Sequence, residues 1–176
     1  MEQVVLVDEN DVETGRMEKI EAHVKGVLHR AFSVFIVNSS GQLLLQRRSK
    51  EKYHSPGLLT NTCCSHPRPD EPVEKAALRR LMEEMGLKCI LHRSFSFIYR
   101  FEFDNGLTEH EYDHVLLGMC NDVPVPDPEE VSEYKYADIE ILEDDIRKNP
   151  ENYTVWFRIA YPMVKEKLNG FIKDHK

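Results

Sequence analysis

The chain has 176 residues, of which 41% are hydrophobic and 31% charged. That mix can bury a core, and one domain spanning residues 1–176 is expected. The net charge of -8 argues against nucleic acid as the main partner, though a local basic patch could still take a small phosphorylated ligand. No run of about 18 apolar residues is present, so no membrane span is expected. The acidic opening from Met1 to Asn10 has no apolar stretch of the secretory kind. Cys63, Cys64, Cys89 and Cys120 form neither a C-x-x-C nor a spaced framework, which suits reduced thiols in a cytoplasmic protein.

Val4 to Val7 is a short apolar run closed by Asp8-Glu9-Asn10, a first strand and turn. From Met17 to His29 neither helical nor strand periodicity is clean. Ala31 to Val37 is almost continuously apolar, the pattern of a strand covered on both faces. Asn38-Ser39-Ser40-Gly41 is a turn, and Gln42 to Gln46 answers as a second strand, so the two read as a β-hairpin. Arg47, Arg48, Lys50 and Lys52 follow as a basic cluster, which composition alone leaves as a solvated face or a binding patch.

Pro56-Gly57 marks a turn, and Leu58 to Cys64 is strand-like. Pro67, Pro69 and Pro72 forbid regular structure until a helix begins. There Val73, Ala76, Ala77, Leu81 and Met85 form an apolar stripe, and Glu74, Lys75, Arg79, Arg80, Glu83 and Glu84 cover the other face. Gly86 is placed to cap it. Ser94 to Phe103 alternates aromatic and polar residues, a strand ended by Asp104-Asn105-Gly106. Thr108 to Asp113 puts Glu109, Glu111 and Asp113 on one side of a strand. Val115 to Cys120 and Tyr134 to Ala137 are further strands, separated by the proline-rich loop from Val123 to Pro128. Asp138 to Lys148 and Val155 to Ile172 read as helices broken at Asn149-Pro150. Together these predict an α/β sandwich with a mixed sheet rather than repeated βαβ units.

Four groups of residues could carry chemistry. His23, His29, His66, Glu109 and Glu111 are the residue types that hold Mn²⁺ or Zn²⁺, or they are ordinary surface residues brought together only by eye. Cys64 is either a small buried hydrophobe or, given the polar flanks Asn61, Thr62, Ser65 and His66, an acid/base in a cleft. The pairs Arg79/Glu83 and Arg80/Glu84 are helical salt bridges worth a few tenths of a kcal/mol, or carboxylates that hold Mg²⁺ with substrate phosphates. Trp156, the lone tryptophan, and Tyr99 either fill core or face a ligand.

Glu71, followed after seven residues by Arg79-Arg80-Leu81-Met82-Glu83-Glu84-Met85-Gly86-Leu87, resembles the Nudix box. Two positions depart: Ser65 stands for the first glycine and Arg80 for the glutamate after the arginine. With Asn61-Thr62-Cys63-Cys64-Ser65-His66-Pro67 and Glu109-His110-Glu111-Tyr112-Asp113, the chain resembles the type 1 isopentenyl-diphosphate isomerase family over nearly its whole length. That resemblance implies a Nudix-like α/β/α sandwich with a mixed β-sheet. It also implies an isomerase of a small isoprenoid diphosphate, acting as a monomer. His23, His29, His66, Glu109 and Glu111 would ligate Mn²⁺ or Zn²⁺, with Mg²⁺ as a third choice. Glu84 and the Cys64 backbone would hold a Mg²⁺ that bridges to the diphosphate. Lys19, Arg48, Lys52 and Arg80 would contact the diphosphate, and Trp156 would cover the hydrocarbon. Cys64 and Glu111, with Tyr99 beside it, would be the acid/base pair. A Nudix hydrolase of nucleoside diphosphate derivatives and a non-catalytic metal-binding module are the competing expectations.

Overall fold

The computed structural model describes residues 2–52 and 54–175. β1 (Gln3–Val7) and β2 (Glu13–Glu18) form an antiparallel pair, and the short helix α1 (Lys19–Lys25) follows at once. The Glu18 side chain caps α1 by accepting from the Glu21 amide, and Gly26 ends it in the left-handed region. β3 (His29–Val37) runs through the middle of the sheet. Along one edge it pairs in parallel with β8 (Thr108–Met119), which in turn pairs antiparallel with β7 (Leu91–Glu102).

The other partners of β3 come in succession. β1 meets it at His29, β6 (Cys63–Ser65) at Phe32 to Val34, and β4 (Leu43–Arg48) at Val37 alone. This corrects the expected hairpin. The turn after Val37 exists, but β3 and β4 part immediately, and β4 pairs instead with β5 (Leu59–Thr60) and β9 (Val131–Ala137). Thr62 occupies the fork. Its hydroxyl accepts from the Ile36 amide at 3.0 Å and donates to the Leu44 carbonyl at 2.7 Å. A single side chain thus satisfies the backbone groups that a continued ladder would have paired. Asn61 adds amide bonds to the Val34 and Cys63 carbonyls.

Helices cover both faces. α2 (Val73–Met85) packs its predicted stripe on Phe32, Val34, Ile36, Leu44 and Cys63. On the opposite face α3 (Ile139–Lys148) and α4 (Val155–Asp174) cover Phe35, Val37, Leu43 and Leu45. Alternate residues of β3 therefore enter two cores, which explains its unbroken apolar run. The α/β/α sandwich with a mixed sheet is as expected. None of the described helices is long and apolar enough to cross a membrane.

Candidate active site

α1 and the start of β3 supply two imidazoles. His23, one turn into α1, hydrogen-bonds through Nδ1 to the Lys19 carbonyl at 2.7 Å, and His29 Nδ1 does the same with the Val27 carbonyl at 2.8 Å. Each bond makes Nδ1 the donor and leaves the Nε2 lone pair facing inward, the tautomer a metal ligand needs. β6 delivers His66, whose Nε2 lies 3.0 Å from Glu111 Oε1. Glu111 is the register partner of His29 on β8, with 3.7 Å between His29 Nε2 and Glu111 Oε1. One donor atom from each of His23, His29, His66 and Glu111 lies within 4.8 Å of the others, and all four side chains are buried. Three imidazoles around one carboxylate, with the His29 Nε2 satisfied by no hydrogen bond, fit a divalent transition ion.

Glu109, expected in that set, stands outside it. Its carboxylate accepts from the Tyr99 hydroxyl at 3.1 Å and sits 3.4 Å from His54 Nε2. Tyr99, opposite Glu111 in the β7–β8 register, also donates to Glu111 Oε2 at 2.8 Å. The phenol therefore ties the two carboxylates together. Burial drives Glu111 upward, but the His66 hydrogen bond and the charges of His66 and His29 outweigh it and hold the carboxyl well below the usual range. Burial and the neighbouring Glu111 charge push Glu109 well above it. Burial also raises the Tyr99 phenol and lowers His66 to about 4.

Cys64 and Cys63 alternate on β6. Cys63 is buried with α2, and Cys64 faces the other core and a cavity. Burial pushes the Cys64 thiol up to about 12, so it carries its proton at neutral pH. The same cavity is lined by Lys19, Arg48, Lys52, Arg80, Glu84, His66, Tyr99, Glu109, Glu111 and Trp156. Every residue expected at the site thus lines the cavity, apart from His23 and His29, which sit behind its wall in the four-residue cluster.

The cations are organised individually. Lys19 pairs with Glu2 at 3.1 Å. Arg48 lies over the Trp156 ring at 5.1 Å and donates to the His54 carbonyl. Arg80 meets Glu83 and Glu84 at 2.7 Å each and Glu130 at 3.0 Å. The Glu71–Arg79 pair of the box is a two-bond fork, both bonds 2.8 Å. The sequence reading missed four residues. His54, buried against Phe103 and Trp156, followed the basic cluster and could have been added to the histidine list. Ser33 lines the cavity and donates to Asp113 at 2.8 Å. Asp113 had been placed on the correct side of its strand but given no role. Glu130 carried no signal at all in the sequence.

A mixed sheet between helical layers, with Glu71 just before the helix on one face and Arg79 and Glu84 on it, defines the Nudix class of protein. The NUDIX domain family matches residues 27–157. A protein named isopentenyl-diphosphate Delta-isomerase from Pectobacterium atrosepticum is 53% identical over 96% of this chain and 94% of its own length. One from Aromatoleum aromaticum, named isopentenyl-diphosphate Delta-isomerase 2, is 52% identical over 96% and 90%. Among solved structures, one from Deinococcus radiodurans superposes with a TM-score of 0.77 at 21% identity, covering 92% of this chain and 98% of the other. A MutT protein from Methanosarcina mazei gives 0.65 at 19% identity, covering 81% and 95%. Those two likenesses concern the fold. The chain belongs to the isopentenyl-diphosphate Delta-isomerase family within the NUDIX domain proteins.

Proposed function

We propose that this protein interconverts isopentenyl diphosphate and dimethylallyl diphosphate by moving a proton across the alkene, and that residues 1–176 act as one catalytic unit in the cytoplasm, as a monomer. The observation that carries the reading is a single cavity holding a protonated thiol, Cys64, an ionised carboxylate, Glu111, and four cations. The reaction adds a proton to the terminal alkene carbon, passes through a tertiary carbocation, and removes a proton from the carbon next to the diphosphate-bearing one. One group must give a proton and another must take one, and Cys64 and Glu111 stand ready in those two states. Tyr99 holds the Glu111 carboxylate in place.

Lys19, Arg48, Lys52 and Arg80 would grip the diphosphate. Trp156, nearly buried under Arg48, would cover the hydrocarbon, and its ring face would shelter the cationic intermediate. His23, His29, His66 and Glu111, with Glu109 at the next carboxylate position, would hold Mn²⁺, Zn²⁺ or Mg²⁺. Glu84 and the Cys64 carbonyl would hold Mg²⁺ together with substrate. Bound there, the ions would tune the acidity of Glu111 and neutralise part of the diphosphate charge. Arg80 counts against nucleoside diphosphate hydrolysis: it stands where the Nudix box has the glutamate after the arginine, a carboxylate such a hydrolase would use for metals or water. NMR of isopentenyl diphosphate incubated with the metal-loaded protein in D₂O tests the proposal. Dimethylallyl diphosphate with deuterium in a methyl group is expected; unchanged substrate would refute it.

A further inference from the structure

We propose that Glu130 damps the positive charge of the diphosphate-binding cations Lys52 and Arg80, and thereby keeps the allylic product from losing its diphosphate. The inference rests on the isomerase reading above. Glu130 lies in the turn before β9, where its backbone is fixed by the Asp127 carbonyl at 3.0 Å and by the Ser49 amide at 3.0 Å. Its two oxygens divide their work: Oε2 meets Lys52 Nζ, and Oε1 meets the Arg80 guanidinium at 3.0 Å. The three residues come from segments 78 and 50 positions apart, so the contact is tertiary and specific. Lys52 and Arg80 both line the cavity. Burial works against the Glu130 charge, yet Lys52 and Arg80 hold the carboxyl below the usual range, so it is ionised.

Such a carboxylate has two opposed effects on a bound diphosphate. It orients Lys52, and losing that orientation would weaken binding a few-fold. It also repels the diphosphate through the two cations it touches, an effect that grows with the number of charges on the ligand and is the larger of the two. Arg80 also pairs with Glu83 and Glu84 at 2.7 Å each, so its orientation does not rest on Glu130 alone, and Lys52 is the cation that would lose its guide. Repulsion therefore wins. Substrate and product share the diphosphate, so extra grip on it would not speed isomerisation. It would, however, favour heterolysis of the product. In that step the allylic C–O bond breaks, its electron pair leaves with the bridging oxygen as free diphosphate, and water captures the cation and loses a proton to give the alcohol. Isopentenyl diphosphate, whose double bond is not allylic to that bond, is immune. The hazard appears only after turnover, which is why the cations need a counter-anion.

Titration calorimetry of the metal-loaded protein with inorganic diphosphate, paired with NMR of dimethylallyl diphosphate for alcohol release, tests this. Glu130→Gln is expected to bind diphosphate about tenfold tighter and to release alcohol faster than wild type, while KM falls and kcat does not rise. Glu130→Asp keeps the charge on a shorter arm and should return both readouts toward wild type, which excludes a folding artefact. Equal or weaker diphosphate binding by Glu130→Gln would make Glu130 an orienting residue and overturn the proposal. Tighter binding without extra alcohol would overturn its protective part. Wild-type protein that isomerises nothing and binds no diphosphate would remove the isomerase reading itself, and this inference with it.

Discussion

Cys64 and Glu111 differ in protonation because their surroundings differ. The thiol is raised first by burial and also by the Glu84, Glu111 and Glu109 charges, against the Arg48 charge, whereas the carboxylate is ringed by His29, His66 and the Tyr99 hydroxyl. Cys64→Ala is expected to lower isomerisation by at least about a hundredfold while the circular dichroism spectrum stays unchanged; wild-type turnover would take the thiol out of the chemistry. Glu111→Gln should lose activity and also release metal, because the same carboxylate faces His29 and His66. Metal analysis beside the rate separates those two losses. Truncating Tyr99 to Phe leaves both carboxylates without their shared donor, so a smaller fall in kcat is expected, read in steady-state kinetics.

The fork held by Thr62 is the element on which the cavity depends. Because β3 and β4 part after Val37, the segment Leu59 to Ser65 enters between them and carries Cys64 and His66 inward. Thr62→Val keeps the shape but leaves the Ile36 amide and the Leu44 carbonyl without partners. A loss of about 2–3 kcal/mol in urea unfolding is expected. At the end of α2, Gly86 has φ of 65°, and a Cβ there would sit 2.7 Å from the Val125 carbonyl oxygen. Gly86→Ala should therefore destabilise by more than the about 1 kcal/mol of an open left-handed site.

These two places also show what a sequence discloses. Gly86 was legible as a cap because the stripe from Val73 to Met85 ends there, and capping is local. The fork was not, because β3 and β4 each read as a strand and nothing local says that Thr62, 18 residues beyond Leu44, will separate them. The stretch from Met17 to His29 showed no period because it contains the end of a strand, a seven-residue helix and a new strand start, each shorter than the window in which periodicity can be seen. The site residues were recoverable through the family resemblance, since residue types alone left the histidines and glutamates open. Glu130 was invisible because its meaning lies in partners 50 and 78 positions away.

Taken as a whole, the molecule buries several ionisable groups, and that gives its stability a pH dependence. Asp113, pushed up to about 8 by burial and the Glu111 charge, keeps its proton in the fold where an unfolded carboxyl loses it near pH 4. The native state thus binds more protons, and this contribution is lost as pH rises through about 8. His66 works the other way: held to about 4, it stays neutral where the unfolded chain takes up a proton below about 6.5. Above that value the histidine no longer acts. Chelator-treated protein is therefore expected to lose urea resistance between about pH 6.5 and about pH 8. Added divalent ion should raise the midpoint at every pH by mass action; an unmoved midpoint would contradict the four-residue cluster as a metal site.

The pairing of His29 with Glu111 across two parallel strands has a bearing on quality control during synthesis. Successive side chains on a strand point to opposite faces, so a slip of one residue would set His110 or Tyr112 beside His29 and turn Glu111 away. A chain mispaired in this way keeps its composition and much of its secondary structure, yet it would lack the proposed four-residue metal cluster. Metal retention would then proofread strand register, and the metal content of a preparation would report the fraction of molecules that paired correctly.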